Sequence, residues 1–497
     1  MSTPELTGVE QPAIDWLVNL GFEFLSGTSV EQTHRNQAPL LEDVLGERLL
    51  VLNPWLEETA NGLEQALREL RGIWEDDLLH SNQVFWRDFL QANNCQVQDA
   101  AGKKRSVRFF DLNSSDSLEN NRFHVVSQYQ GKNAEGDEFK PDLLLFINGI
   151  SLGIIECKKS SEKLSKGIRQ LLGYQQHFPR HFIYQQVFAA INRVEVKYGT
   201  LNTPESFYFY YKLEAGEETI VSERLGRAPT EQDKLLWALF EPNRFLRLVS
   251  SFVLFEQEKH GLIKKLPRYQ QWRAVEKTLA RLTGKSQGVY QTPSPNKPCG
   301  GVVWHTQGSG KSLTMAMLAR LLRAERTGLN NPSILVLTDR NDLDTQISNT
   351  FTNIGLPVTR VPSVSGLEKL LANDYGSIFT STIQKFQERE EQTEQPSGQM
   401  QENGSKKRKF KAADSWHLNT SPHTPDQRTR QKERGGKLIT LEERNLNHGQ
   451  TDTEGQPLNP KWNLIKQTEQ ACETRVRKVA DNDAYYVTHE RNLNFGL

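Results

Sequence analysis

The sequence is poor in the features that mark secreted and membrane proteins. Four cysteines occur among 497 residues and stand far apart, at Cys95, Cys157, Cys299 and Cys472, which argues against a disulfide framework and against a zinc site. No run of about 18 apolar residues is present, so we expect no segment that spans a membrane. The N-terminus has no basic segment followed by an apolar core, so we expect no signal peptide. These absences predict a protein of the reducing cytoplasm.

The chain also lacks an excess of charge of either sign. Its 61 Lys and Arg residues balance its 61 Asp and Glu residues. Any contact with nucleic acid must therefore come from a local patch and not from the field of the whole molecule. The length allows roughly three or four domains.

The sequence does contain a phosphate-binding loop, His305-Thr-Gln-Gly-Ser-Gly-Lys-Ser312. The apolar stretch Gly301–Trp304 before it predicts a strand, and the run Leu313–Leu322 after it predicts a helix. Strand, glycine-rich turn and helix N-terminus are the setting that such a loop requires. The strict pattern has glycine where this sequence has His305, so the alternative of a glycine-rich turn before an ordinary helix stays open.

The residue types in this loop suit a nucleoside triphosphate. The backbone N–H groups of Gly308, Ser309, Gly310 and Lys311 could surround a polyphosphate. Lys311 could reach the outer phosphates, and Ser312 could hold Mg²⁺. We therefore expect the chain to bind ATP and magnesium.

Two apolar runs around Asn148-Gly149 predict a buried hairpin. Pro141–Ile147 and Ile150–Glu156 are almost wholly apolar, and Asn-Gly between such runs is the strongest short hairpin signal. A helix predicted at 160–177 and a strand predicted at 182–192 extend the pattern to an α/β sheet domain that ends near residue 225.

Charged residues at the ends of this hairpin suggest a second site. Asp142 begins one strand, and Glu156 and Lys158 end the other, where residues two apart project to the same face. Two converging carboxylates can hold Mg²⁺, and a lysine beside them can stabilise developing charge. This is the residue set of a metal-dependent nuclease. The alternative is that Asp142 caps a strand and that 156–159 is a solvated strand end.

The register of the hairpin decides between these interpretations. A regular two-residue turn would pair Asp142 with Ile155 and leave Glu156 on the opposite face. The nuclease hypothesis therefore predicts a β-bulge or a longer loop, and bulges are frequent beside active sites. Gln170 and Tyr174 lie four apart on the next predicted helix, on one face that could reach the site.

Together these features resemble the restriction (R) subunit of type I restriction–modification enzymes. The resemblance covers roughly residues 1–386, and His305 in place of glycine is itself a trait of that family. The segments that carry the resemblance are Lys140-Pro-Asp142 with Ile154-Ile-Glu156-Cys-Lys158, Gln170-Leu-Leu-Gly-Tyr174, Arg268-Tyr-Gln-Gln271, the loop His305–Ser312, Leu337-Thr-Asp-Arg-Asn-Asp342-Leu343 and Thr382-Ile-Gln-Lys-Phe386.

The resemblance implies a fold, an activity and partners. The fold would be α/β, with a RecB-like nuclease domain followed by RecA-like motor domains. The motor of that family uses ATP and Mg²⁺ to translocate duplex DNA, which the nuclease then cuts. The implied partners are double-stranded DNA and the modification (methyltransferase) and specificity subunits of a type I complex.

The resemblance also implies roles for single residues. Asp142, Glu156 and Lys158 would be the nuclease residues, with Gln170 and Tyr174 in support. Asp142 and Glu156 would hold the metal of the nuclease, and Ser312 the metal of the nucleotide site. Arg268 and Gln271 would read the adenine, Gly308 to Ser312 would bind the triphosphate, and Glu10 would match an accessory acidic position.

The family pattern breaks off after Phe386. No apolar strand that ends in Asp-Glu-Ala-His follows, and residues 387–460 are far poorer in apolar residues than the whole chain. We therefore expect a truncated R subunit that does not translocate DNA. Its parts would be a nuclease domain at 1–225, connecting helices at 226–264, an incomplete RecA-like P-loop domain at 265–386, and a low-complexity polar tail at 387–497. The tail would be disordered, with a short helix within 461–497.

Two other functions remain open at this point. The chain could be a non-catalytic DNA-binding or assembly remnant of that subunit, with the nuclease fold kept as a scaffold. It could also be a different P-loop ATPase, such as a small-molecule kinase.

Overall fold

The computed structural model describes most of the chain up to residue 384 and five strands after it. The described residues are 6–30, 38–112, 114, 116–287, 289–292, 295–297, 299–324, 328–361, 363–373, 376–384 and, for the backbone, 427–434, 437–445, 462–471, 476–481 and 484–489. The expectations for Phe386 and for the polar tract at 387–426 lie outside the described residues. The chain divides into two units, Met1–Glu394 and Gln395–Leu497.

A mixed sheet with helices around it forms the first part of the first unit. After a π-helical turn at Leu6–Glu10, its elements are α1 (Gln11–Leu20), β1 (Glu23–Ser26), α2 (Glu42–Leu52), α3 (Gly62–Arg71), α4 (Leu78–Val84), β2 (Gln96–Gln98), β3 (Lys104–Ser106), α5 (Ser117–Asn120), β4 (Phe123–Ser127), β5 (Gly131–Lys132), β6 (Glu138–Phe139), β7 (Leu143–Ile147), β8 (Ile150–Cys157), α6 (Ser165–His177), β9 (Val187–Ile191) and β10 (Val196–Gly199).

Six of these strands form one sheet in the order β1-β4-β7-β8-β9-β10. The pairs β1/β4 and β8/β9 are parallel, and the other three pairs are antiparallel. Every residue of β4, β7, β8 and β9 is buried. This agrees with the continuous apolar runs in the sequence, since a strand covered on both faces needs no polar alternation.

The predicted hairpin is present, and it contains a bulge. Asn148 and Gly149 form the two-residue turn with φ values of 51° and 80°, the left-handed conformation that Asn-Gly favours in such turns. Ile147 pairs with Ile150, but beyond the turn the register shifts, so that Leu145 pairs with Gly153 and leaves Leu152 without a partner across the hairpin. The β-bulge that the nuclease hypothesis requires is therefore there.

A helical segment and a second hairpin follow the sheet. The elements are α7 (Ala215–Leu225), α8 (Glu231–Phe240), α9 (Pro242–Arg247), a π-helical turn (Leu248–Phe252) and the antiparallel strands β11 (Leu254–Glu258) and β12 (Gly261–Lys265). We expected helices alone between 226 and 264. The hairpin was missed because its strands carry charged residues in place of an apolar run.

A parallel sheet forms the last part of the first unit. Its elements are α10 (Tyr269–Thr283), α11 (Lys311–Arg323), β13 (Ile334–Thr338), α12 (Asn341–Asn353), β14 (Val358–Arg360), α13 (Val364–Asn373) and β15 (Ile378–Thr382), with the strand order β13-β15-β14. Both strand pairs are parallel. This confirms the parallel sheet expected from alternating strands and helices in this region.

The strand expected just before the phosphate loop is wrong. Residues 301–304 have no strand assignment, and Val302, Val303 and Trp304 are 88%, 49% and 56% exposed. A strand exists only through hydrogen bonds to a neighbouring strand, and no strand among the described residues pairs with this segment. The apolar content that suggested a strand therefore faces solvent.

The second unit contains strands where we expected a disordered tail. Strands β16 (Gln427–Arg434), β17 (Lys437–Asn445) and β18 (Trp462–Ala471) form an antiparallel sheet, and β19 (Val476–Asp481) pairs with β20 (Ala484–His489). The expected helix within 461–497 is not seen in the described parts of that range. Low apolar content misled the prediction, because strand pairing depends on backbone hydrogen bonds that a count of apolar residues ignores.

None of the helices in the described residues combines the length and the apolar character needed to cross a lipid bilayer.

Candidate active site

The bulged hairpin brings the two predicted carboxylates opposite each other. Leu143 pairs with Ile155, so the same register continued by one residue sets Asp142 against Glu156. Opposite residues in an antiparallel pair lie on the same face of the sheet. Asp142 Oδ2 also accepts a hydrogen bond of 2.8 Å from the backbone N–H of Cys157, which fixes the carboxylate at this strand end.

Lys158 joins these carboxylates, as predicted from its spacing. Its Nζ lies 3.1 Å from Glu156 Oε2 and 3.6 Å from Asp142 Oδ2, and it donates a 2.7 Å hydrogen bond to the carbonyl of Cys157. Lys158 is 5% exposed and Glu156 is fully buried. The interpretation of 156–159 as a solvated strand end is therefore wrong for Glu156 and Lys158.

The carboxyl group of Glu156 is in an unfavourable setting for a negative charge. Burial raises its pKa well above the usual value, and the nearby charge of Asp142 raises the pKa further, against the opposing effect of Lys158. Its Oε1 is buried and accepts no hydrogen bond. A buried acceptor with no donor costs free energy, and a cation next to two carboxylates removes that cost.

Gln170 and Tyr174 lie on α6, which packs against β8 and β9. Gln170 Nε2 donates to the Tyr174 hydroxyl at 3.0 Å, and that hydroxyl donates to the carbonyl of Lys140 at 3.0 Å. Burial raises the pKa of Tyr174 to about 12, and the charge of Glu156 contributes. The two side chains therefore share a face, as expected, and lie near the carboxylates.

Close packing of α6 depends on a glycine. A Cβ at Gly167 would lie 3.3 Å from Cγ of Lys158 and 3.6 Å from Cβ of Glu156. The absence of a side chain lets the helix approach the strand end that carries both charged residues.

Glu10 reaches the edge of this site from the start of the chain. It is 4% exposed, and its carboxylate accepts hydrogen bonds of 3.2 and 3.3 Å from Gln128 Nε2. Burial raises the pKa of the Cys157 thiol, and the charges of Asp142, Glu10 and Glu156 raise it further. Glu10 is therefore a third carboxylate whose charge acts at Cys157, together with Asp142 and Glu156.

A buried polar network holds the bulge. Gln185 Nε2 donates to Ser151 Oγ at 2.6 Å, and the backbone N–H of Gln186 donates to the carbonyl of Leu152 at 2.8 Å. Lys264, on β12, donates to Gln186 Oε1 at 2.7 Å, to the Gln185 carbonyl at 3.1 Å and to Asn82 Oδ1 at 2.7 Å. Through Lys264, the second hairpin thus stabilises the residues that contact the bulge of the first hairpin.

The glycine-rich turn and the helix of the phosphate loop form as the sequence predicts, although the strand expected before them does not. Gly308 and Gly310 both have φ of 78°, the region that favours glycine, and α11 begins at Lys311 directly after them. Lys311 Nζ donates to the carbonyls of His305 and Thr306, at 2.8 and 2.9 Å. Burial lowers the pKa of His305, and the charge of Lys311 lowers it further, so the imidazole is neutral at pH 7.

Gln271 connects α10 to this loop. Its Nε2 donates to the carbonyls of Ser309 and Gly310 at 3.3 and 3.2 Å, and its Oε1 accepts from the backbone N–H of Arg268 at 2.9 Å. The Arg268 guanidinium lies over the ring of Phe209, 4.6 Å from its centre. Gln271 therefore touches the loop, whereas Arg268 faces the sheet domain, and Ser312 is half-buried in the first turn of α11.

Several polar residues of the site escaped prediction from the sequence. Gln128, Gln185, Gln186 and Lys264 have no motif and no spacing relative to the acids. Lys264 follows Ile263 in a short mixed run that gives no hint of burial. Only the pairing of distant segments reveals these residues.

Two known protein families match most of the described chain. Residues 4–207 match the family described as the type I restriction enzyme R protein N terminus, and residues 270–416 match the SWI2/SNF2 ATPase family. The first match contains the paired acids and the second contains the phosphate loop. The second match also extends beyond Phe386, where the sequence motifs break off.

Curated relatives agree with both matches. A type I restriction enzyme HindI endonuclease subunit from Haemophilus influenzae is 30% identical over 404 residues, which cover 78% of this chain and 37% of the relative. A putative type I restriction enzyme MjaIXP endonuclease subunit from Methanocaldococcus jannaschii is 28% identical over 400 residues, which cover 76% and 37%. The matched part of the chain thus spans little more than a third of these relatives. On these matches, the chain belongs to the family of type I restriction enzyme R (endonuclease) subunits.

Proposed function

We propose that Asp142, Glu156 and Lys158 form a magnesium-dependent nuclease site that cuts double-stranded DNA. The observation that carries the proposal is the bulge at Leu152, which sets Asp142 and Glu156 on one face of the sheet. Relatives named as endonuclease subunits favour this reading over a non-catalytic remnant.

The residues present fit a divalent cation. Asp142 and Glu156 would hold it, since Mg²⁺ is bound through one or two carboxylates and keeps several waters. The unsatisfied Oε1 of Glu156 and the raised pKa of its carboxyl group both indicate a place where a positive charge stabilises the fold. Among the residues that the structure describes, no three Asp, Glu, His or Cys side chains could bind one ion, so two carboxylates are the most that this site offers.

Each residue would then have one task. When bound, the ion supplies positive charge beside the phosphodiester and makes a water easier to deprotonate. Lys158 would donate to a phosphate oxygen and stabilise the charge that develops on it. Gln170 and Tyr174 already bond to each other, and from the same face they would position the DNA backbone.

The test is nicking of supercoiled plasmid by the full chain, with and without Mg²⁺. We expect Mg²⁺-dependent nicks from the natural chain and none above background from Glu156→Ala or Lys158→Ala. Glu195 and Lys197 provide a matched control, because they form a second Glu-x-Lys pair, 3.6 Å apart and more exposed, beside the same sheet. Glu195→Ala and Lys197→Ala should nick normally. Equal nicking by Glu156→Ala would refute the proposal.

We further propose that the loop His305–Ser312 binds ATP with Mg²⁺. Gly308 to Lys311 would surround the phosphates, Ser312 would hold the ion, and Gln271 would sense the nucleotide through its bonds to Ser309 and Gly310. Lys311 would exchange its two carbonyl partners for phosphate oxygens. The match to the SWI2/SNF2 ATPase family supports this assignment.

The domain organisation that follows is also a proposal. A RecB-like nuclease domain would occupy 1–225, a connecting segment 226–264 and a RecA-like P-loop domain 265–386. The partners would be double-stranded DNA and the modification and specificity subunits of a type I complex. Co-purification with those subunits would test this assembly.

A further inference from the structure

The backbone at Gln128 has a conformation that glutamine rarely adopts. Eight non-glycine residues in the described part of the chain have positive φ, and seven of them are asparagine. Gln128, at φ 55°, is the exception. Asparagine tolerates this left-handed region, whereas a longer side chain is strained there. Strain of this kind persists where the surroundings impose it, and it is concentrated at functional sites.

The surroundings of Gln128 impose its backbone from two sides. Its N–H donates to the carbonyl of Asp142 at 2.9 Å, which extends the pairing of β4 and β7 by one step up to the proposed metal ligand. A Cβ at Gly27 would lie 2.3 Å from the carbonyl oxygen of Gln128, so only glycine fits against this turn. Both neighbours hold Gln128 at the end of the sheet that carries the acids.

The side chain of Gln128 points to Glu10. Its Nε2 lies 3.2 Å from Glu10 Oε1 and 3.3 Å from Glu10 Oε2, so one amide group contacts both oxygens of a buried carboxylate. One residue thereby ties the backbone of Asp142 to the carboxylate of Glu10.

Glu10 lies near Asp142 and Glu156 but does not join them as a third ligand of one ion. Gln128 links the carboxylate of Glu10 to the backbone of Asp142, yet no three Asp, Glu, His or Cys side chains in the described residues could hold one ion. Mg²⁺ keeps several waters when two carboxylates bind it, and carboxylates further out bind such waters and orient them. Glu10 stands where an outer carboxylate of this kind would be.

We propose that Gln128 is a positioning residue that holds Glu10 as the outer carboxylate of the metal site, at the cost of a strained backbone. The proposal rests on the nuclease function proposed for Asp142 and Glu156. It adds a residue outside every motif of the sequence, and it explains why a glutamine stands where asparagine or glycine would be relaxed.

The test exploits the strain. Gln128→Gly removes the amide and also relaxes the backbone, since glycine adopts positive φ freely. Because the relaxed backbone offsets the loss of the amide's hydrogen bonds to Glu10, we expect the variant to stay folded with a melting temperature close to that of the natural chain. We expect it to bind Mn²⁺ about tenfold or more weakly, the usual effect of losing an outer partner of a metal site. Mn²⁺ alone, without ATP, is titrated into the full chain and followed by electron paramagnetic resonance. A residue with a structural role only would leave the affinity of the folded chain unchanged.

Controls separate this inference from the proposed function. Asn93→Gly relaxes another left-handed residue, at φ 49°, and should leave Mn²⁺ affinity unchanged. Glu156→Gln should abolish binding; if the natural chain binds Mn²⁺ no better than Glu156→Gln, the proposed nuclease site fails. If Glu156→Gln loses binding but Gln128→Gly retains full affinity, the role of Gln128 fails and the nuclease site stands.

A double-mutant cycle tests that Gln128 acts through Glu10. Glu10→Gln removes the outer charge, and in that background Gln128→Gly should cause no further loss of Mn²⁺ affinity. Additive losses would contradict the proposed pathway, because Gln128 would then act on the metal site independently of Glu10.

Discussion

At the scale of single residues, the account depends on the charge of Glu156. This carboxyl group is fully buried, it faces Asp142 and its pKa lies well above the usual value. The folded state therefore holds a proton on Glu156 at pH values where the unfolded chain has released it. Linkage then requires that stability falls as pH rises from about 4.5 through the raised pKa.

Glu156→Gln removes this titration. The free energy of unfolding of the natural chain should fall relative to that of the variant by about 1.4 kcal/mol per pH unit within that window. Urea denaturation of both chains between pH 4 and 8, without divalent ions, measures the difference. Glu138→Gln, at an exposed position, serves as the control. A difference between Glu156→Gln and the natural chain that does not change with pH would show that Glu156 ionises normally.

At the scale of elements, the approach of α6 to β8 fixes the site. Gly167→Val would place methyl groups against Lys158, Ala190 and Glu156, where even a Cβ is in contact. We expect a loss of about 1–3 kcal/mol in stability from overpacking and weaker Mg²⁺-dependent nicking.

Gly173 on the same helix supplies the comparison, since a Cβ there meets nothing within 4 Å. Gly173→Ala should raise stability by about 0.5–1 kcal/mol, because alanine favours the helix, and should leave nicking unchanged. Thermal unfolding of both variants measures their stability relative to the natural chain. Equal behaviour of the two would mean that the close packing at Gly167 is unimportant.

Variants of Lys264 test whether its buried hydrogen bonds stabilise the bulged hairpin. Lys264→Met leaves the acceptors of Asn82 and Gln186 buried and unpaired, which should cost about 1–3 kcal/mol for each group. Lys265→Met removes ion pairs with Glu256 and Glu258 on the paired strand β11 and should cost about 1 kcal/mol or less. Chemical denaturation compares the two, and equal losses would contradict the role of the buried network.

The sequence could predict elements wherever a local pattern carried the information. The apolar runs and Asn148-Gly149 predicted the hairpin, and the chemistry required of Asp142 and Glu156 predicted the bulge. Gly301–Trp304 was predicted wrongly, because an apolar segment becomes a strand only beside a partner. Gln128 and Lys264 could not be predicted, because their roles depend on backbone conformation and on contacts between segments far apart in sequence.

At the scale of the whole molecule, the chain combines the acid site with a phosphate loop in one unit. Lys311→Ala should weaken ATP binding about tenfold or more, since a charge-assisted contact to phosphate is lost. Isothermal titration with ATP and Mg²⁺ measures this, and the exposed Lys285→Ala serves as a control. If Lys311→Ala bound ATP with unchanged affinity, the proposal that the loop binds the nucleotide would be wrong.

The central claim is that Asp142 and Glu156 together hold a metal ion in a nuclease site. Anomalous diffraction from crystals of the full chain soaked with Mn²⁺ tests it most directly. The account predicts a peak bonded to oxygens of both carboxylates at about 2 Å, with Lys158 beside it, and no such peak in Glu156→Gln. Manganese bound only elsewhere, or carboxylates that point to opposite faces of the sheet, would contradict it.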